Sequence, residues 1–159
     1  MAGDIFFKDQ SPVALTTISG TLANNTAVLV AAINLLTTSG TANLALNFEA
    51  TAELLAQWST ITGITVRVVV ADLYFVPAVD GTNYADVDTT SGSRFISSNY
   101  RVGSFVAHKQ LVTATNYRFA TAPFDLFPLK YNVYLLNVSG QTMSASGIVT
   151  LAAARNQYT

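Results

Sequence analysis

Cysteine is absent from this chain of 159 residues, and charged residues are scarce. The absence of cysteine excludes disulfide bonds and thiolate metal sites, which fits synthesis in a reducing compartment. Lys, Arg, Asp and Glu make up 11% of the residues, whereas an ordinary soluble domain has about 25%. Three kinds of protein have so little charge: a membrane-spanning chain, a disordered chain, or a domain whose surface is covered by partners.

Long hydrophobic runs and basic clusters are also missing. The most continuous apolar stretch, residues 27–36, has about half of the ~20 residues that a membrane-spanning helix needs. Disorder is disfavoured because 50% of the residues are hydrophobic, which provides ample apolar surface to bury. The basic residues are scattered, and the net charge is −1, so the basic stripe typical of nucleic-acid binding is absent. We therefore expect a partner-covered domain whose partner is neither a membrane nor a nucleic acid.

What the chain does contain is a series of short β-strand patterns, rich in Val, Ile, Thr and aromatic residues and separated by turn residues. The predicted strands are residues 13–18, 27–36, 43–50, 64–76, 100–107, 115–120, 130–137 and 147–153. Strands with this spacing are typical of an antiparallel sandwich, and we predict an all-β, jelly-roll-like β-sandwich of about eight strands. This single domain would occupy residues 13–159, preceded by an N-terminal arm of residues 1–12.

The longest strand pattern, residues 64–76, is expected to stop at Pro77, because proline cannot donate a hydrogen bond to a neighbouring strand. An Asp-Gly pair follows and supplies the positive φ of a tight turn. It opens a polar segment, residues 80–93, that we expect to be an exposed loop. Residues 51–58 are different, because their Ala, Glu, Leu and Gln favour a helix. We expect a short helix or a loop there.

Two segments, near the middle and the end of the chain, carry a resemblance to a known family. They are residues 73–84, LYFVPAVDGTNY, and residues 127–141, FPLKYNVYLLNVSGQ, followed by SASG at residues 144–147. In this order they resemble the capsid decoration, or cement, proteins of tailed bacteriophages, which are small virion proteins of jelly-roll type. The resemblance implies a structural protein rather than an enzyme, with no cofactor.

The function implied by the resemblance is binding to the outer surface of a phage head. Such a protein is made in the host cytoplasm and ends on the capsid surface of the virion. There it binds the major capsid protein and stabilises the shell by bridging capsomers. Because a low-charge surface is best buried in repeated interfaces, we also expect a symmetric homo-oligomer. The alternative is a receptor- or carbohydrate-binding module of a phage tail or fibre.

Two groups of apolar and aromatic residues are the predicted partner-binding residues. Ile5, Phe6 and Phe7 precede the first predicted strand with too little neighbouring sequence to form an element of their own. We expect them to pack on a neighbouring subunit or on the shell, contributing about 1.5–3 kcal/mol for each large side chain buried. Tyr84 and Tyr100 flank the polar segment 80–93 and are the first candidates for a sugar-stacking platform.

The candidates for catalysis and metal binding are weaker than their structural interpretations. His108 is the only histidine, and no Ser or Asp at a recognisable spacing accompanies it. Asp80, Asp86 and Asp88 share a loop, but their spacing does not match the twelve-residue calcium loop. We expect a structural or exposed histidine, solvated acids, and no metal site.

The other polar and aromatic candidates also have ordinary structural interpretations. Glu49 and Glu53 are the only glutamates, and nothing places them across a cleft, as a glycosidase pair requires. The remaining aromatic candidates are Trp58, Tyr74, Tyr117, Tyr131 and Tyr134. All of them except Trp58 fall within predicted strands, where packing is the default role. Two segments match the glycosylation sequon, Asn24-Asn25-Thr26 and Asn137-Val138-Ser139, and we expect both to be turns.

Overall fold

A computed structural model describes residues 5–9, 13–17, 20–34, 49–62, 64, 67–87, 96–127, 129–144 and 148–158, with the backbone alone for 5–9, 13–17, 49 and 148–158. These residues form ten strands and one short 3-10 turn. They are β1 Ile5–Asp9, β2 Val13–Thr17, β3 Ala27–Asn34, β4 Glu49–Ala56, β5 Val68–Ala78, the 3-10 turn Ser98–Tyr100, β6 Arg101–Ala107, β7 Tyr117–Ala120, β8 Phe124–Asp125, β9 Lys130–Asn137 and β10 Ile148–Tyr158. None of the described residues belongs to a helix long and apolar enough to cross a membrane.

The strands form two antiparallel sheets. One sheet has the order β1-β10-β4-β7, with β2 also on β10 and β8 also on β4, and the other has the order β3-β9-β5-β6. β1 and β2 pair with successive stretches of one edge of β10, and β7 and β8 pair with successive stretches of one edge of β4. If β1 and β2 are counted together as one strand, and β7 and β8 as another, eight strands remain. Numbered along the chain, they lie in the order 1-8-3-6 in the first sheet and 2-7-4-5 in the second. This is the strand order of a jelly roll, and it confirms the predicted all-β sandwich.

The expectation of a helix or loop at residues 51–58 is wrong. Most of this segment belongs to β4, which lies between β10 and β7 in the middle of its sheet. Every second side chain from Ala50 to Trp58 is buried and the residues between are half-buried, which is the period of a strand. The helix-favouring composition is overridden because β4 is paired on both edges and packs one face on the core.

The longest predicted strand is shifted along the chain. β5 begins at Val68, after Arg67 takes a positive φ of 69°, and it continues through Pro77 to Ala78. The expectation that Pro77 stops the strand is therefore wrong. Pro77 pairs with Tyr131 of β9, whereas the ladder to β6 ends at Tyr74. Proline is tolerated where one edge of the strand is no longer paired.

The other strand predictions differ from the structure mainly at their boundaries. The prediction at residues 130–137 is confirmed without change as β9, and β2, β3, β6 and β7 lie within the predicted segments. β10 is longer than predicted and runs to Tyr158. The short strand β8 was missed inside a link between two prolines. Most of the strand predicted at 43–50 lies outside the described residues.

The N-terminal segment is part of a sheet. Ile5–Asp9 forms β1, which pairs antiparallel with Ala154–Tyr158 of β10. The expectation that Ile5, Phe6 and Phe7 form no element of their own is wrong, because the partner strand comes from the other end of the sequence. Such a pairing cannot be read from neighbouring residues.

The main core lies between the two sheets. Its largest fully buried side chains are Trp58, Phe105, Leu54, Ile64, Leu73, Leu135, Met143 and Val70. Aromatic rings meet edge to face within it: Trp58 and Phe119 have centroids 5.9 Å apart, and Phe75 and Tyr131 have centroids 5.5 Å apart. This geometry stabilises aromatic pairs beyond the area that they bury.

A buried polar network centred on Asn137 ties the end of β9 to the rest of the sandwich. The Asn137 Nδ2 donates to the carbonyl oxygens of Leu22 at 2.8 Å and Gln141 at 2.7 Å. Its Oδ1 accepts from the backbone N–H of Ser139 at 3.0 Å and from the Ser139 hydroxyl at 2.7 Å. The Ser139 Oγ in turn accepts from the Trp58 Nε1 at 3.0 Å. Asn137 is completely buried, so its amide satisfies groups that water does not reach.

We predict that Asn137→Ala lowers the free energy of unfolding by about 3 kcal/mol, because each buried group left without a partner costs roughly 1–3 kcal/mol. Urea denaturation followed by circular dichroism measures the change. Asn116→Ala, at an exposed position, is the matched control and should stay within about 0.5 kcal/mol of the parent chain. A loss below about 1 kcal/mol at Asn137 would contradict the role of the network.

Candidate partner-binding site

The β3-β9-β5-β6 sheet is covered on both faces. Along β5, Leu73 and Phe75 belong to the main core. Tyr74 and Val76 point the other way and are also buried, in a second cluster. This outer cluster contains Tyr74, Val76, Ile96 and Leu136, with Ala27, Tyr84, Ala85, Val87, Tyr100, Tyr134 and Val138 packed against it. The chain that follows β5 therefore folds back over the sheet.

Tyr84 and Tyr100, the predicted sugar-stacking residues, are brought together by this cluster. Both side chains are half-buried and pack against the outer cluster. Tyr84 therefore contributes to packing on the sheet rather than standing free on an exposed loop. The expectation of an exposed loop holds for Asp80, Thr82 and Asn83, and residues 88–93 lie outside the described part.

The turn after β5 is held by Asp80. Its Oδ1 accepts from the backbone N–H groups of Thr82 at 2.8 Å and Asn83 at 2.7 Å, and its Oδ2 accepts from the Asn83 Nδ2 at 2.7 Å. The hydrogen bonds from the Asn83 and Thr82 backbones hold the pKa of the Asp80 carboxyl below its ordinary value of 3.8. Gly81 has a φ of 77°, and its carbonyl accepts from the Lys130 Nζ at 2.7 Å.

This geometry gives the Asp80 carboxylate a structural role. Both of its oxygens accept hydrogen bonds within the local turn, and Lys130 links this turn to β9. Of the other loop acids, Asp86 is exposed and Asp88 lies outside the described residues. Within the described part of the chain, no three His, Cys, Asp or Glu side chains are grouped as metal ligands.

A cleft opens at one end of the sandwich, between the 3-10 turn and β8. This end cleft has a volume of about 230 Å³ and is lined by Phe75, Pro77, Asn99, Tyr100, Val102, Asp125, Leu126, Phe127, Leu129 and Tyr131. Phe127 on its rim is 67% exposed. The Tyr131 hydroxyl donates to the Phe127 carbonyl at 3.2 Å, and burial raises the pKa of Tyr131. The end cleft thus has an aromatic floor and an exposed aromatic rim.

A second cleft, of about 310 Å³, lies beside β6 and β7 and is lined by Val106, His108, Lys109, Leu111, Tyr117, Arg118 and Phe119. Its cations already have partners. The Lys109 Nζ lies 5.3 Å from the centroid of the Tyr117 ring, and Arg118 pairs with Glu53. The Tyr117 hydroxyl accepts from the backbone N–H of Val112 at 2.6 Å. His108 is exposed.

No protein-family model and no curated protein matches the chain.

The remaining candidate residues take structural positions. Glu49 and Glu53 lie four residues apart on β4, and two acids on one strand do not flank a cleft as a glycosidase pair does. Trp58, Tyr117 and Tyr131 belong to the main core, and Tyr74 and Tyr134 to the outer cluster or its packing.

The first sequon lies at a turn, the second begins at the last residue of β9, and both are held by hydrogen bonds. The backbone N–H of Asn25 donates to the Asn137 carbonyl at 2.7 Å, and the backbone N–H of Asn137 donates to the Thr26 carbonyl at 3.0 Å, so the two sequon segments contact each other. Asn137 is completely buried, which leaves its amide inaccessible to a glycosylating enzyme. The turn interpretation is confirmed for the first sequon, whereas Asn137 of the second belongs to β9.

Sequence reasoning found one residue of the end cleft, Tyr100, and missed its other exposed members. Asn99, Asp125 and Phe127 lie in segments that the sequence predicts as links or loops. The only available signal was the short run of Phe124 to Phe127 between two prolines, in which Asp125 is the single polar residue. Their convergence depends on two segments about 25 residues apart that the sandwich brings to the same end.

We predict that the carboxyl carbon of Asp80 titrates with a midpoint below 3.8 in carbon-detected NMR, because the Asn83 and Thr82 hydrogen bonds favour the charged form. Since the pKa in the folded state is lowered, the contribution of the turn to stability is present above the unfolded pKa and is lost as pH falls through the lowered midpoint. The amide signals of Thr82 and Asn83 should shift with the same midpoint. A midpoint at or above 3.8 would contradict the turn geometry.

Proposed function

We propose that this chain is a structural protein of a phage virion that binds the outer surface of the head. It acts there as a decoration, or cement, protein that contacts the major capsid protein and bridges neighbouring capsomers. The proposal assigns it binding rather than catalysis. Its support comes from the resemblance of two sequence segments, from the place of those segments in the fold, and from the character of the surface.

The observation that carries the proposal is the position of the two resembling segments. Residues 73–84 contribute most of their length to β5 and the turn after it, and residues 127–141 contain all of β9. β5 and β9 are hydrogen-bonded neighbours over the whole stretch from Ala71↔Asn137 to Ala78↔Lys130. Two segments about 50 residues apart in the sequence therefore form one structural unit at the centre of a sheet. Because both resembling segments belong to this unit, they support the family resemblance together more strongly than two segments in separate parts of the fold would.

The surface also favours function through contact. Among the described residues, the large hydrophobic side chains that stay exposed are Leu29, Val79, Val112 and Phe127. They lie on different strands and turns, in a chain with only 11% charged residues. Such a surface suits repeated contacts with identical neighbours, so the proposal includes a homo-oligomer. Several weak contacts on a symmetric lattice bind tightly together.

The alternative function is a receptor- or glycan-binding module of a tail or fibre. A group of exposed aromatic residues on the loop after β5 would favour it. Tyr84 instead packs against the outer cluster, which favours the decoration role for this part of the surface. The end cleft with Phe127 is the one observation that favours sugar binding, and of the two predicted stacking residues it contains Tyr100.

The proposal predicts that the purified chain rebinds to phage heads from which it has been stripped. Sedimentation of heads with increasing amounts of added protein gives the stoichiometry and the Kd. We expect saturation at a fixed number of copies per capsomer. We also expect Phe6→Ala/Phe7→Ala to weaken binding at least about tenfold, because each large side chain buried at an interface contributes about 1.5–3 kcal/mol.

The control for this experiment is Asn116→Ala, which trims an exposed polar side chain in the link before β7. Circular dichroism must show that both variants keep the fold, since β1 pairs through its backbone. Failure of the parent chain to rebind would overturn the decoration role. If Phe6→Ala/Phe7→Ala rebinds as the parent chain does, the side chains of β1 do not form the contact with the head.

A further inference from the structure

We propose that the end cleft binds one neutral pyranose ring of a glycan. This activity goes beyond capsid decoration and does not depend on it. The cleft combines an apolar surface with polar groups at its edge, and that combination matches a sugar ring, which has one face of C–H groups and a rim of hydroxyls.

The apolar part of the cleft is an aromatic wall over a closed floor. Phe127 presents a ring that is 67% exposed, and Tyr100 lines the same space. Leu126 and Phe75, which also line the cleft, are buried in the main core, so their packing does not depend on a ligand. An exposed phenylalanine contributes little to folding, whereas a ring at the edge of a cleft can stack on the apolar face of a sugar.

The polar part of the cleft consists of three groups that the fold does not use. Asn99, Tyr100 and Asp125 line the cleft, and they carry a side-chain amide, a hydroxyl and a carboxylate. In the described part of the chain none of these three groups has a hydrogen bond or an ion pair, although the backbone N–H groups of Asn99 and Tyr100 are fixed by Ser97. An amide donates and accepts, a hydroxyl does both, and a carboxylate accepts two bonds, so together they can pair with adjacent sugar hydroxyls.

The same three groups disfavour other occupants. A purely apolar side chain of a partner protein would bury Asn99 and Asp125 without giving them hydrogen bonds, which costs free energy. An acidic sugar would bring a second negative charge to Asp125. The volume of about 230 Å³ is below the ~300–1,000 Å³ of sites for drug-sized ligands. A single neutral ring fits these limits.

Titration of the ¹⁵N-labelled chain with the methyl glycosides of glucose, galactose, mannose and N-acetylglucosamine tests the proposal by NMR. We expect at least one of them to shift the amide signals of Asn99, Tyr100 and Phe127 in a saturable way. A ligand of one ring makes few contacts, so the Kd should be on the order of 1 mM or weaker. The amide signals around His108 and Lys109, in the second cleft, should not move.

Two variants and one control identify the binding groups. Phe127→Ala removes the stacking ring and should weaken the Kd about tenfold or more, while Asp125→Asn keeps the shape and removes the charge and should weaken it several-fold. Val112→Ala removes a side chain that is 62% exposed outside the end cleft and should bind as the parent does. Amide spectra of all three should keep the dispersion of the folded chain.

Three results would overturn the proposal. They are an absence of saturable shifts with all four glycosides, shifts that map to another surface, and binding that Phe127→Ala leaves unchanged. The rebinding of this chain to stripped heads measures a different property, so either experiment can fail without deciding the other.

Discussion

The pairing of β5 with β9 is the interaction on which the rest of the structure depends. The strands pair from Ala71↔Asn137 to Ala78↔Lys130, and both have buried side chains on both faces. Their inward residues form much of the main core, and their outward residues, such as Val76 and Leu136, form the outer cluster. A central strand pair buried on both faces orders two layers at once, so the sandwich and the segment folded over it are stabilised together.

The two ends of β9 carry the polar contacts that place the neighbouring loops. At its start, Lys130 donates to the carbonyl of Gly81 and holds the turn after β5. At its end, Asn137 binds Leu22 and Gln141 and reaches Trp58 through Ser139. The apolar pattern sets the register of a strand, and a buried amide with specific partners additionally fixes the loops beside it. Residues of β5 and β9 also line the end cleft, so its shape depends on the same strand pair.

Much of the fold was predictable from the sequence because strand patterns are local. Alternating or continuous apolar residues between turn residues mark β9 and most of β5, and the number and spacing of the strands indicate a sandwich. The expectation of a short helix or a loop at β4 was wrong because its Ala, Glu and Leu residues favour helices in isolation, and pairing on both edges outweighed that preference. β1 was missed because its partner, Ala154–Tyr158, lies at the other end of the chain.

The end cleft could not be predicted in the same way. Tyr100 was singled out only because it follows a polar segment, and nothing in the sequence connects it with Asp125 or Phe127. A cleft of this kind is a property of the assembled sandwich, in which the 3-10 turn before β6 meets the short strand β8. The partner-binding role of Ile5, Phe6 and Phe7 stays a prediction, since the structure gives only the backbone path of β1.

The most direct measurement of the central claim is the number of copies of this chain in purified phage particles, obtained by quantitative mass spectrometry against the major capsid protein. The decoration role predicts a number equal to that of the capsid protein or a simple fixed fraction of it, because every equivalent site on the shell is filled. A few copies per particle, or none, would contradict it.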